Sequence, residues 1–158
     1  SVMIEHLQLN HARAGQLLPS DAAKCLTARL WDRLFDSYVM TPVQTIVGQQ
    51  LRNPAQRDEQ ASANAKAMLA MAYRMIEQHL ADGCEWAAGD DFSIADCAAA
   101  PSLFYAATLV PFADNQAHLK AYFERLVSRP SVKRVLDDAK PWFQYYPFKE
   151  ALPSRFTE

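Results

Sequence analysis

The chain has 158 residues, 50% of them hydrophobic and 22% charged, with a formal net charge of −2, the balance of one globular domain large enough to bury about 70% of its unfolded surface. Its charges are interspersed, which excludes a basic face for nucleic acid or an anionic membrane, and no apolar run reaches the roughly 18 residues of a membrane span or follows the charged start of a secretory leader. Three widely spaced cysteines, Cys25, Cys84 and Cys97, and four histidines, His6, His11, His79 and His118, show neither a disulfide framework nor metal-ligand spacing, so a reducing, cytoplasmic setting and no metal are expected.

With four glycines and few β-branched residues alternating with polar ones, strand signals are nearly absent and an all-α fold is expected. Residues 2–9 carry Val2, Ile4, Leu7 and Leu9 in a short helical pattern, and 10–20 form a connection punctuated by Gly15 and Pro19. Ser20 is the expected N-cap of a long helix, with Leu26, Leu30, Leu34, Phe35 and Tyr38 on its inner face. Pro42 removes a backbone donor there, so a kink is expected before the pattern resumes with Val43, Ile46, Val47 and Leu51. A second long helix is predicted from Gln56 to Leu80, closed by Gly83. Gln116 to Ser128 reads as a further helix, Ser131 as the cap of a short one, and Trp142, Phe143, Tyr145, Tyr146 and Phe148 as an aromatic tail packing on the rest.

The stretch FSIADC, 92–97, ties these elements together. Ser93 and Asp96 have the spacing of a reciprocal capping box, with Phe92 and Cys97 at the positions of a hydrophobic staple. The helix behind it, through Ala98–Ala100, Leu103, Phe104, Ala106, Ala107 and Leu109, is apolar nearly all round and is the expected buried centre. A lone carboxylate in apolar surroundings also suits acid–base chemistry, but the spacing of Asp96 to Ser93 is fully explained by capping. Cys97 at a staple position reads as a buried, unreactive thiol.

FSIADC resembles the capping box of the core helix in the C-terminal domain of glutathione S-transferases. ARLWDRLFDSYVMTPV resembles that domain's first helix, FERLVSRPSVKRVL and KPWFQYYPF its last helices, and LLPSD the preceding linker. The resemblance implies a bundle of five to six helices around the capped central helix, spanning 21–158. It makes residues 1–9 the remnant of the last helix of a thioredoxin-like N-terminal domain and 10–20 the linker.

In that family the glutathione thiolate is activated in the N-terminal domain, so the resemblance assigns no catalytic residue here. Glutathione is implied as a co-substrate held mainly by that other domain. The C-terminal domain is expected to contribute the pocket for a small hydrophobic electrophile and to join a homodimer. By the Tyr-Val-Met-Thr-Pro segment the implied substrate-binding residues are Ser37, Tyr38, Met40 and Thr41, joined by Tyr105 and Thr108. Met and Tyr suit a tolerant apolar wall, and each of these residues equally suits plain packing between helices. The alternative is a non-enzymatic interaction module of the same fold, since fold alone does not fix function.

Overall fold

The computed structural model describes residues 1–11 and 16–157; the turn expected at Gly15 lies outside them. The elements are α1 (Val2–His11), α2 (Ala22–Leu34), a π-helical turn (Phe35–Met40), α3 (Thr41–Leu51), α4 (Glu59–Leu80), α5 (Ile94–Leu109), α6 (Ala117–Ser128) and α7 (Pro130–Ala139), followed by short 3-10 turns. Among the described residues there is no strand, so the expected all-α bundle is the fold. The α2, π and α3 segments follow one another without a break, and with α4 to α7 they make up the expected set of helices.

Helix α5 is the centre. Ile94, Ala95, Asp96, Ala99, Leu103 and Ala106 are fully buried, and α2, the π turn, α3 and α6 all pack on it. Its alanines let those neighbours approach closely. Around it Phe35, Val39, Leu69, Tyr73, Ile76, Leu119, Tyr122 and Leu126 close one core.

The inner face of α2 departs from expectation. Leu26 and Leu30 are 68% and 57% exposed, and the face turned inward carries Ala28, Trp31, Asp32 and Phe35. The spacing of four between the leucines describes an apolar stripe correctly; that stripe faces away from α5. Trp31 instead stacks on the His79 ring of α4 at 4.0 Å. The His79 Nε2 donates to the Ala87 carbonyl at 2.8 Å, which fixes the imidazole proton on that nitrogen.

Several caps also differ from the sequence reading. Asp21, not Ser20, caps α2 by accepting from the Lys24 amide at 2.9 Å. Helix α4 begins at Glu59, where the Asp58 carboxylate accepts from Ala61 at 2.9 Å. Helix α7 has Pro130 in its first turn and no side-chain cap from Ser131; proline needs no donor at that position. Gly83 adopts φ 92° at the end of α4, the left-handed geometry in which glycine has no Cβ penalty.

Pro42 acts through the turn before it. The Thr41 amide, in place of the ordinary bond four residues back, donates to the Asp36 carbonyl five residues back, and the Thr41 hydroxyl donates to the same oxygen at 3.0 Å. The widened turn spares the proline ring a clash with a carbonyl, and helical structure continues on both sides of it.

Candidate functional site

The capping box forms as the spacing requires. The Ser93 amide donates to Asp96 Oδ2 at 2.8 Å and the Ser93 hydroxyl to the same oxygen at 3.1 Å. Ser93 Oγ accepts from the Ala95 amide at 3.3 Å. Asp96 has no exposed surface. Its other oxygen accepts from the Ala87 amide at 2.9 Å and from the Tyr122 hydroxyl at 2.6 Å. Four donors therefore converge on one buried carboxylate and join α5 to the preceding loop and to α6. With every acceptor site occupied from within the protein, Asp96 has no free lone pair aimed at a ligand, and its role is structural. Burial, then the adjacent Asp96 charge, push the Tyr122 hydroxyl well above its ordinary range, so it remains a donor. The sequence shows Tyr122 only as an apolar helix position; the missing clue was that a buried carboxylate needs more donors than its own cap supplies.

The implied pocket residues fall into two groups. Ser37, Tyr38, Met40 and Thr41 lie on the π turn and the first residue of α3. Ser37 is half-buried, Tyr38 is 41% exposed, Thr41 is exposed, and Met40 packs against the core. Tyr105 and Thr108 lie on the last two turns of α5. The Thr108 hydroxyl donates to the Tyr105 carbonyl at 2.7 Å, which uses its single proton. The Tyr146 hydroxyl, 2.8 Å away, must then donate to Thr108. Tyr146 also packs on Tyr105 with ring centroids 5.0 Å apart. The tail thus closes over the end of α5, and Tyr146 belongs beside Tyr105 and Thr108, a grouping the sequence did not suggest.

The main apolar cavity, about 550 Å³, opens between α5 and α7. Phe92, Cys97, Phe104, Tyr105, Val132 and Phe143 are among its walls. Of the six implied pocket residues only Tyr105 lines it. Arg129 lies over the Phe92 ring at 3.8 Å at its edge. Burial, reinforced by the Asp96 charge, pushes the Cys97 thiol up to about 11, so it is protonated at neutral pH and a poor nucleophile. No group of three or more metal-ligating side chains exists among the described residues, and no helix there is long and apolar enough to cross a membrane.

Helix α1 buries none of its side chains fully. Its Gln8 side chain accepts from the Leu17 and Leu18 amides at 2.7 and 2.9 Å, and Ile4 packs with Leu17, Leu18, Ala28 and Ile94. Val2, Met3, Leu7 and Leu9 remain exposed on it.

Comparison with known proteins agrees with this architecture. The profile of the family described as "Glutathione S-transferase, C-terminal domain" matches residues 34–130. A glutathione S-transferase-like protein, LUC7, from a Fusarium species is 31% identical over 83% of this chain and 60% of its own length. A glutathione S-transferase from Methylobacterium radiotolerans, solved with glutathione sulfonate, is similar over 84% of this chain and 63% of its own, with 26% identity and a TM-score of 0.70. One from Burkholderia graminis, with two glutathione molecules bound per subunit, is similar over 86% of this chain and 57% of its own, with 25% identity and a TM-score of 0.71. The chain therefore spans about three fifths of the length of these relatives. The match over the π turn, α3, α4, the capped α5 and α6 places it in the glutathione S-transferase family, as that family's C-terminal helical domain.

Proposed function

We propose that this chain is the electrophile-binding half of a glutathione transferase, working with a thioredoxin-like domain that binds and activates glutathione. The observation that carries this reading is the uncovered apolar surface along one flank. Helix α1 holds Val2, Met3, Leu7 and Leu9 out to solvent, and the 550 Å³ apolar cavity beside the linker residue Leu17 opens nearby. A monomer rarely leaves so much apolar surface bare without a partner. An adjoining domain seated on α1 and on the cavity would cover both, and the shorter span relative to its relatives supports such a domain. Residues 1–9 would then be the remnant of the last helix of that domain, and residues 10–20 the linker.

Within this reading Ser37, Tyr38, Met40 and Thr41 form one wall of the substrate pocket, and Tyr105, Thr108 and Tyr146 the other. The reaction is attack of the glutathione thiolate on a small hydrophobic electrophile. A thiolate needs a donor or positive helix end to form at neutral pH. Three candidate groups do not supply one: the half-buried Cys97 is held protonated, Asp96 is fully bonded, and Tyr122 is committed to Asp96. Glutathione is thus a co-substrate held by the other domain. The active protein is a cytoplasmic homodimer that serves detoxification. Its dimer face combines Leu26 and Leu30 of α2 with Met68, Met71 and Met75 of α4, all exposed here.

The test is conjugation of glutathione to an aryl halide, followed by absorbance. The 158-residue chain is expected to be inactive and the form carrying the thioredoxin-like domain active. Activity in the isolated chain, lost on Tyr38→Phe, would overturn the assignment of glutathione activation to another domain. Inactivity of the longer form against a panel of electrophiles would favour an interaction module.

A further inference from the structure

A shallow cavity of about 350 Å³ between α2 and α4 is lined by Trp31, Leu34, Met75, Gln78, His79 and Asp82. Its chemistry suits a cation. Met75, His79 and Asp82 follow one another at spacings of four and three, so they share one face at the C-terminal end of α4 and the turn after it. That end of a helix carries the negative pole of its dipole. No lysine or arginine is among the walls, and Asp82 makes no ion pair among the described residues. The His79 ring is already held in place. Its Nε2 donates to the Ala87 carbonyl at 2.8 Å, and the Trp31 indole stacks on it at 4.0 Å. The lone pair on Nδ1 is left over, with no donor to it among the described residues. A metal-bound imidazole is commonly fixed in this way, through its other N–H, by a backbone carbonyl.

We propose that this cavity binds a soft monovalent metal ion, copper(I), through His79 Nδ1 and the Met75 thioether, with the Asp82 carboxylate and the Trp31 ring beside it. His79 and Asp82 alone fall short of the three His, Cys, Asp or Glu ligands that a hard or borderline metal needs. What the cavity adds is soft: a thioether, which selects copper(I) over zinc, calcium or magnesium, and an indole face, the best aromatic partner for a cation. Met75 is 39% exposed, so its sulfur is accessible from solvent. The site is separate from the electrophile pocket and from the capped core of α5, and it stands whether or not this chain works in a transferase.

The test titrates the 158-residue chain with copper(I) buffered by bicinchoninate under anaerobic conditions. Binding is followed residue by residue, on the methionine methyl carbons and the histidine ring nitrogens. Uptake at the three cysteines is thereby told apart from uptake at the cavity. Copper(I) is expected to move the Met75 methyl and the His79 Nδ1 resonances together, while zinc(II) leaves the Met75 methyl where it was. Met75→Leu keeps the volume and removes the sulfur; read on the His79 ring, it should weaken binding about tenfold or more. His79→Gln keeps an N–H for the Ala87 carbonyl and removes the imidazole; read on the Met75 methyl, it should weaken binding as much. Met75 lies at an exposed position, so its variant folds even if the His79 change disturbs the loop at Ala87. Copper(I) taken up with both resonances unmoved would overturn the site. So would affinity at the cavity unchanged in Met75→Leu, or a zinc(II) response equal to that of copper(I).

Discussion

The Asp96 carboxylate holds three segments together, accepting from Ser93, from the Ala87 amide and from the Tyr122 hydroxyl. The spacing to Ser93 gave its capping role; the Tyr122 hydroxyl, 26 positions away and 2.6 Å distant, could be found only in three dimensions. The consequence is measurable. Tyr122→Phe removes a donor from a carboxylate with no exposed surface and should cost about 1–3 kcal/mol of unfolding free energy in urea. Ser93→Ala should cost about 1–2 kcal/mol as an ordinary N-cap loss, toward the upper end because the cap is buried. A Tyr122→Phe protein as stable as the parent would mean the carboxylate does not depend on that bond.

At the scale of elements, one helix end is capped by another helix. Gln116 gives α6 no side-chain cap. The Glu77 carboxylate of α4 accepts from the Leu119 amide at 2.7 Å, from the His118 amide at 3.2 Å, and meets the His118 ring Nδ1 at 2.7 Å. Burial of Glu77 works to raise its pKa, but the amide donors at the positive end of α6 and the His118 ring outweigh it and hold it below the ordinary value. A carboxyl with a lower pKa when folded contributes stability above its unfolded pKa, and that contribution is lost as pH falls through the folded value. Melting temperature should therefore decline on acidification below about pH 4.5. Glu77→Gln should be less stable at neutral pH and show a shallower acid decline. Parallel acid limbs in the two proteins would remove Glu77 from the account. Periodicity alone identifies the apolar face of α6, through Leu119, Tyr122, Phe123 and Leu126. The cap itself is invisible to periodicity, because its donors lie 41 and 42 positions from Glu77.

At the scale of the whole molecule, α2 turns apolar side chains outward. Leu26, Leu30 and Leu34 form a regular stripe, and periodicity alone assigns such a stripe to the core. Leu34 and Met75 of α4 both line a shallow cavity of about 350 Å³, and Leu26, Leu30, Met68 and Met71 are exposed on the same two helices. An apolar stripe facing outward is what a second copy would cover, so the chain should sediment as a dimer at micromolar concentration. Leu30→Glu and Met71→Glu should each convert it to a monomer without loss of helical circular dichroism. A monomeric parent would refute the dimer face and leave the fold unaffected.

Local chemistry determined what the sequence by itself could determine: the all-α class, the capped central helix, the proline effect near residue 42, and the family through the order of its motifs. These follow from propensity, capping and periodicity, which act over a few residues. Only the tertiary structure decided which side of α2 faces inward, that a π turn precedes Pro42, that Tyr146 orders Thr108, and that Glu77 and Tyr122 complete distant helix caps. Each of those depends on groups separated by a helix or more in the chain, or on which of two backbone bonds wins, and neither is fixed by a pattern along the sequence alone.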